Sequence, residues 1–217
     1  MIRGAIFDVD GTLLDSMPIW TDAGAVYLRS LGIKPQEDLW QILKTMTLEE
    51  AARYLIRQYQ IPLSPADVME GINREIEDFY FYQAPLRPGV EELLNKLHAA
   101  DVKMAIATAT DRYLVEKALE RLGILPFFGR IFTCAESGSK MQPGIYRQAG
   151  AFLGTLPAET WVFEDACHGA ATAARAGFPV LGIRDPSEEN QQGLKEVSAV
   201  YLESFRQADE FFKIVSL

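Results

Sequence analysis

Cysteine is scarce in this chain of 217 residues. There are 2 cysteines, Cys134 and Cys167, and they stand in different segments without forming a Cys-x-x-Cys pair. This spacing argues against a disulfide-rich scaffold and a cysteine-based zinc framework, and it is typical of a reducing compartment. We expect both cysteines to pack in the core.

The chain also lacks a long apolar run and a signal-peptide pattern. Its longest apolar stretches have the length of strands, far below the roughly 20 residues that span a bilayer. Met1 leads directly into a strand-like run. We therefore expect a cytoplasmic protein that does not bind membranes.

Positive charge is in short supply. The 21 Lys and Arg residues stand against 30 Asp and Glu residues, which leaves a formal net charge of −9. Binding to nucleic acid or anionic membranes normally needs a basic patch, so neither is an expected partner. The sequence does not reveal the oligomeric state, and a monomer is the default expectation.

Short apolar runs that favour strands alternate with helix-like segments along most of the chain. This alternation predicts an α/β fold with a doubly wound parallel sheet. The predicted strands are residues 5–7, 102–107, 131–133, 161–163 and 180–183.

Residues 15–85 break this rhythm, because they show amphipathic helical patterns and no convincing strand. We predict a core domain formed by residues 1–14 and 86–217, with residues 15–85 as an inserted all-helical domain. Pro-containing links at both junctions would suit hinged motion.

Acidic residues follow two of the predicted strands. Asp8 and Asp10 come after residues 5–7, and Glu164 and Asp165 follow residues 161–163. Because the carboxyl ends of parallel strands meet at one edge of a sheet, these carboxylates should converge there. Their mutual repulsion calls for a hard cation with oxygen ligands, and Mg²⁺ is the best candidate.

Two further positions could bind phosphate at the same edge. Thr108 follows the predicted strand 102–107, and Lys140 stands just before a predicted helix. A hydroxyl and an ammonium are suitable donors to phosphoryl oxygens.

The whole pattern resembles the haloacid dehalogenase superfamily of phosphotransferases. Its motifs stand here in order along the chain. The helical insertion after the first motif resembles the subfamily with a type-1 helical cap, which contains β-phosphoglucomutase and many small-molecule phosphatases. The matching elements are Asp8-Val9-Asp10-Gly11-Thr12, Thr108, Lys140 and Glu164-Asp165.

The resemblance implies a Rossmann-like core and covalent catalysis by a carboxylate. By this carry-over, Asp8 attacks phosphorus, and Asp10 protonates the leaving alcohol and later deprotonates water. Asp8, the backbone carbonyl of Asp10 and Asp165 would bind Mg²⁺. Glu164 would support these ligands or bind through water. Thr108 and Lys140 would hold the phosphoryl oxygens.

Some positions depart from the family pattern. Gly144 replaces the acidic residue of the segment after Lys140, which removes a helix-start acceptor. Ala166 replaces a serine that commonly follows the acidic pair. Cys167 and His168 stand near the predicted metal, where they could contact substrate or bind a softer metal such as Zn²⁺. We favour no role for them, because the other predicted ligands are oxygens.

Asp10 indicates phosphoester chemistry, and the cap separates a phosphatase from a mutase. Three positions that bind or control the sugar phosphate in β-phosphoglucomutase are occupied here by Trp20, Leu48 and Asp111. These replacements favour a hydrolase of a small phosphate monoester, such as a sugar phosphate, phosphoglycolate or a nucleoside monophosphate. A β-phosphoglucomutase-like mutase remains the alternative, with Arg112 as a partial substitute. The candidate specificity residues are Trp20, Lys44, Thr45, Met46 and Thr47.

Non-enzymatic readings also remain open. A receiver-type signalling domain uses a phospho-accepting Asp, a Thr or Ser and a Lys on a similar sheet, but it needs neither Asp10 nor the helical insertion. A silent phosphate-binding protein is the other alternative. Release of phosphate from a small ester separates an enzyme from both.

Overall fold

The structure is a computed structural model that describes residues 2–43 and 46–216. Contacts between Cα atoms divide the chain into two compact units. Met1–Asp15 and Ala84–Leu217 form one, here called the core unit. Ser16–Gln83 form the other, here called the helical unit. Within the described residues, none of the helices has the length and apolar character that a membrane crossing requires.

The helical unit consists of α-helices followed by a short π-helical turn, Phe79–Gln83. Its helices are α1 (Met17–Ser30), α2 (Leu39–Leu43), α3 (Leu48–Tyr59) and α4 (Pro65–Asp78).

Local sequence explains where two of these helices begin. Thr47 and Glu50 form a capping box at the start of α3, and Ser64 and Asp67 form another at the start of α4. Each box satisfies backbone N–H groups that the first turn would otherwise leave without partners.

The helical unit has an apolar core of its own. Leu28, Leu55 and Val68 are fully buried in it. Close packing of α1 on α4 depends on Gly71, because a Cβ atom there would lie 2.2 Å from the ring of Tyr27. The unit therefore buries apolar surface independently of the sheet.

The core unit is built on a parallel sheet. Its strands are β1 (Gly4–Phe7), β2 (Lys103–Thr108), β3 (Phe128–Thr133), β4 (Thr160–Glu164), β5 (Val180–Ile183) and β6 (Val200–Leu202). They lie in the order β3-β2-β1-β4-β5-β6, and every pairing is parallel. The predicted doubly wound sheet is confirmed. The alternation of segments did not predict β6, because three residues are too few to show a period.

Helices connect successive strands of the core unit, and one more helix follows β6. They are α5 (Val90–Ala99), α6 (Arg112–Arg121), α7 (Cys134–Ser137), α8 (Gly144–Leu153), α9 (Cys167–Arg175), α10 (Gln191–Val197) and α11 (Ala208–Val215).

Neighbouring residues of a strand point to opposite faces of the sheet. Ile6 and Val162 pack in a cluster with residues of α8, α9 and α10. Phe7 stacks on Phe163 with the ring centroids 4.2 Å apart, and Phe163 meets Phe211 of α11 edge-on at 5.5 Å. The central strands are therefore buried on both faces.

The chain leaves and re-enters the core unit at adjacent points. Leu14 and Leu86 form an isolated antiparallel bridge. The Asp15 N–H donates to the Pro85 carbonyl at 3.0 Å, and the Arg87 N–H donates to the Leu13 carbonyl at 2.9 Å. These bonds join the ends of the two core segments.

Candidate active site

The candidate site lies at the carboxyl ends of the central strands. β1 pairs with β2 on one side and with β4 on the other. Asp8 follows β1 directly, and its N–H donates to the Phe163 carbonyl at 3.0 Å, which continues the ladder past the strand end. Thr108 and Glu164 are the last residues of β2 and β4. The order of the strands thus brings three predicted site positions to one edge.

Lys140 lies between two of the predicted carboxylates. Its Nζ is 2.5 Å from Asp8 Oδ1 and 2.8 Å from Glu164 Oε1. All three side chains are buried, with exposed side-chain fractions of 10% or less. Lys140 therefore keeps a defined position beside Asp8, although α8 begins at Gly144 without a side-chain cap.

Asp8, Glu164 and Asp165 form a buried acidic triad. Each offers a ligand atom, and these atoms lie within 4.8 Å of one another. With one ammonium group among three carboxylates, full ionisation would leave two negative charges uncompensated. Burial makes such an excess costly. The donors and their charge therefore suit a divalent cation that prefers oxygen ligands.

Gly11 allows Asp165 to approach the turn after β1. Its φ is +76°, and a Cβ atom there would lie 2.2 Å from Asp165 Oδ2. The next residue, Thr12, donates its hydroxyl to Asp165 Oδ1 at 2.9 Å. Gly11 therefore leaves room for the Asp165 carboxylate, and Thr12 binds it. A larger residue at position 11 would prevent this close approach.

The carboxyl group of Asp10 contacts a different partner. Thr110 donates its hydroxyl to Asp10 Oδ2 at 2.5 Å, and the N–H of Thr110 donates to Thr108 Oγ1 at 3.1 Å. Thr110 was not predicted. Thr110 stands two residues after Thr108, just as Asp10 stands two residues after Asp8. This shared spacing at the ends of neighbouring strands could have identified it.

Burial and like charges shift the ionisation of the site. Burial raises the pKa of Asp8 to about 7, against the opposing effect of the Lys140 ammonium. Burial and the charges of Asp8 and Glu164 raise the pKa of Asp165 well above its ordinary value. Burial lowers the pKa of Lys140, but the charges of Asp8 and Glu164 outweigh it and the net shift is upward. Ionisation of all three buried carboxylates therefore costs energy unless a metal cation is bound beside Lys140.

Arg87 binds the backbone of the turn after β1. It donates from Nη1 to the Gly11 carbonyl at 2.6 Å and to Asp185 Oδ2 at 2.5 Å, and from Nη2 to the Arg184 carbonyl at 2.5 Å. Asp185 is 2% exposed and also accepts from the N–H and hydroxyl of Ser187. No motif identified this pair, whose members lie 98 residues apart.

Cys167 and His168 join no metal-binding group among residues 2–43 and 46–216. The Cys167 N–H donates to Glu188 Oε2 at 2.8 Å, and Asn190 Nδ2 lies 3.4 Å from its sulfur. These contacts tie the start of α9 to the loop after β5.

The predicted specificity residues belong to the helical unit. Trp20 is 36% exposed, and its indole N–H donates to the Tyr80 hydroxyl at 2.9 Å. The Met46 N–H donates to the Leu43 carbonyl at 2.8 Å. The Thr47 hydroxyl serves the capping box of α3. Lys44 and Thr45 lie outside the described residues.

Arg112, which could partly replace the missing cations that bind a second phosphate in a mutase, already has partners within the core unit. Its Nε and Nη2 contact the two carboxylate oxygens of Glu136 at 3.0 and 2.6 Å. Nη2 also donates to the Ile131 carbonyl at 2.7 Å. These partners leave Arg112 poorly suited to bind a phosphate.

Comparison with known proteins decides the family. Residues 5–183 match the family model described as haloacid dehalogenase-like hydrolase. The chain belongs to this family. The resemblance inferred from the motifs is therefore confirmed, and the matched range contains every residue of the acidic triad.

Relatives of the haloacid dehalogenase-like chain cover nearly all of it. The phosphorylated carbohydrates phosphatase of Thermotoga maritima is 27% identical over 202 residues, which are 93% of this chain and 94% of the relative. Hexitol phosphatase A of Escherichia coli is 30% identical over 202 residues, with 91% and 89% covered. A Thermotoga maritima crystal structure provisionally named a β-phosphoglucomutase has a TM-score of 0.86 and 25% identity, with 99% and 100% covered.

Proposed function

We propose that this protein is a Mg²⁺-dependent phosphatase that hydrolyses the monoester of a small phosphorylated compound through an aspartyl phosphate on Asp8. The observation that carries the proposal is the pairing of buried Asp8 with Lys140 beside Asp165 and Glu164. The predicted class of enzyme, a phosphoric monoester hydrolase, is confirmed by family membership and by the phosphatases among its relatives.

In the proposed mechanism, a carboxylate oxygen of Asp8 attacks phosphorus, and the bond from phosphorus to the ester oxygen breaks. Asp10 gives a proton to the departing alcohol, then takes one from the water that attacks the aspartyl phosphate. The Thr110 hydrogen bond supports this role by holding the Asp10 carboxyl group. Hydrolysis releases phosphate and restores Asp8.

Lys140 and Thr108 are the proposed phosphate-binding residues. Lys140 lies beside the nucleophilic carboxylate, where an ammonium group would stabilise negative charge on the phosphoryl oxygens. Thr108 is fully buried at the end of β2. Both roles rest on the family resemblance and on these positions.

Asp8, Asp165, Glu164 and the backbone carbonyl of Asp10 are the proposed metal ligands, with Glu164 acting directly or through water. An all-oxygen donor set favours Mg²⁺ over a softer metal. When bound, the ion would neutralise phosphoryl charge and help to align phosphorus with Asp8. The two uncompensated negative charges of the triad support this assignment.

A β-phosphoglucomutase-like mutase is the second candidate, supported by the similar Thermotoga maritima structure. We favour the phosphatase because a mutase must also hold a bisphosphate. Asp111 would repel a second phosphate, and Arg112 is already bound to Glu136. The phosphatase names of the relatives point the same way.

The helical unit is the proposed source of substrate preference. We retain residues 15–85 as a cap domain, with Trp20, Lys44, Thr45, Met46 and Thr47 as candidate specificity residues. Because the indole N–H of Trp20 is bonded to Tyr80, we expect Trp20 to act through its ring face. Relatives that act on phosphorylated carbohydrates and hexitol phosphates make sugar phosphates the leading substrate class.

The test is phosphate release from a panel of sugar phosphates, phosphoglycolate, nucleoside monophosphates and an activated aryl phosphate. Purified protein is assayed with Mg²⁺ and after chelation, and β-glucose 1-phosphate with a bisphosphate activator tests for a mutase. We expect Mg²⁺-dependent release from at least one small monoester. Isomerisation without release would favour the mutase, and the absence of both reactions would favour a binding protein.

A further inference from the structure

Tyr146 on α8 makes a buried polar contact that the proposed mechanism does not use. The residue is 1% exposed, and its hydroxyl donates to Glu164 Oε1 at 2.7 Å. Its ring packs in the apolar cluster under the sheet with Ile6 and Val162. A phenylalanine ring would fill the same space without burying a hydroxyl, so packing explains the ring but not its oxygen.

Glu164 is confined on several sides. Its Oε1 accepts from both Tyr146 and Lys140, at 2.7 and 2.8 Å. A Cβ atom at Gly169 of α9 would lie 2.5 Å from the same oxygen. Glu164 is itself fully buried, so its carboxylate has no access to solvent partners. Two donors and one close glycine therefore fix the oxygen that binds Lys140.

We propose that Tyr146 is a positioning residue, whose hydroxyl holds Glu164 so that Glu164 keeps the Lys140 ammonium beside Asp8. This inference rests on the proposed function. Without the hydroxyl, Oε1 would have Lys140 as its remaining side-chain donor and would attract the ammonium more strongly. Lys140 would then move away from Asp8 Oδ1, 2.5 Å distant in this structure, and would stabilise the phosphoryl oxygens less well.

The test compares Tyr146→Phe with Tyr201→Phe. The control also deletes one hydroxyl in the core unit, where Tyr201 donates to Gln191 Oε1 at 2.8 Å. We expect Tyr146→Phe to lower kcat by about tenfold with little change in KM, as for the loss of one hydrogen bond to a charged group. Tyr201→Phe should stay within about twofold of wild type. Thermal unfolding of both variants measures the purely structural effect.

A double-mutant cycle with Glu164→Gln tests whether Tyr146 acts through Glu164. We expect the kcat loss of Tyr146→Phe to shrink to less than about twofold in the Glu164→Gln background. An unchanged kcat in Tyr146→Phe, or an equal loss in both backgrounds, would overturn the proposal. Failure of the wild type to hydrolyse any ester would instead refute the proposed function.

Gly169→Ala is a second variant, on α9, that would disturb the Glu164 carboxylate. The added methyl group would displace Glu164 Oε1, whereas alanine is the better helix former. We expect kcat to fall by about tenfold, while the Tm reflects the balance between the better helix former and the crowding of the buried carboxylate. Wild-type kcat in this variant would show that the position of Glu164 is unimportant. That outcome would overturn the proposal even if Tyr146→Phe fails to fold.

Discussion

The ion pairs at the carboxyl edge of the sheet and those of the helical unit lie in opposite environments. At the carboxyl edge of the sheet, Lys140 and its carboxylate partners are nearly inaccessible to solvent. In the helical unit, by contrast, the partners are about half exposed or more, as in Arg29–Asp22, Arg53–Glu49 and Arg74–Glu70.

The difference fits the catalytic role that we propose for the buried residues at the strand ends. Exposed pairs contribute about 0–1 kcal/mol each, whereas a buried charge pays a desolvation penalty that its partner only partly offsets. A buried acidic triad is thus a poor way to stabilise a fold. Its position at the strand ends is better explained by catalysis, and mutations in the two regions should have correspondingly different effects.

Replacement of the proposed nucleophile should have the largest effect. We expect Asp8→Asn to lower kcat by about 10⁴-fold or more, because the amide cannot form the aspartyl phosphate. The fold should persist, since the two side chains are nearly isosteric. Steady-state kinetics and circular dichroism measure the two effects, with Asp22→Asn in the helical unit as a control that keeps its activity. Near-normal turnover by Asp8→Asn would refute the proposed mechanism.

Loss of the proposed acid and base should be less severe. We expect Asp10→Asn to reduce kcat by about 10²- to 10⁴-fold. The loss should be smaller for an activated aryl ester, whose leaving group needs less help from a proton donor. A series of esters with leaving groups of different pKa tests this expectation. Equal losses across the series would argue against proton donation by Asp10.

Stability should distinguish a buried ion pair from an exposed one. We expect Arg87→Ala to lower the free energy of unfolding by about 3–5 kcal/mol, because it leaves Asp185 buried without its charge partner. Arg53→Ala removes an exposed pair on α3 and should cost about 0.3–0.5 kcal/mol. Chemical denaturation measures both. Similar losses would mean that burial does not separate the two classes.

The raised pKa of Asp8 gives the subtlest expected effect. Because the pKa of Asp8 is higher in the folded protein than in the unfolded chain, Asp8 contributes to the stability of the metal-free protein below about pH 4. This contribution is lost as the pH rises through about 7. Asn at position 8 does not titrate. The stability of metal-free Asp8→Asn relative to wild type should therefore increase from pH 5 to pH 8.

Denaturation of both metal-free proteins across this pH range measures the difference. Added Mg²⁺ should stabilise wild type more than Asp8→Asn at pH 8, since the variant lacks one proposed ligand. Parallel pH profiles for the two proteins would contradict the shift assigned to Asp8.

The central sheet and much of the candidate site could be predicted from the sequence. Asp8 and Glu164 could be located because each follows or ends a strongly apolar strand, and the parallel order then brings them together. Tyr146 could not, since Ile145 and Ala149 beside it give the helix an ordinary core pattern. Its partner lies 18 residues away on another element. Contacts of this kind depend on tertiary packing and produce no periodic pattern in the local sequence.

The bridge between Leu14 and Leu86 bears on how such a chain can diversify. A segment whose two ends meet side by side can be lengthened, shortened or exchanged without moving the ends that receive it, because closure entropy grows only slowly with length. Insertions of this type are tolerated where the host's own hydrogen bonds close the gap. New substrate preferences could thus arise in the inserted helices, while the residues proposed for phosphoryl transfer stay unchanged.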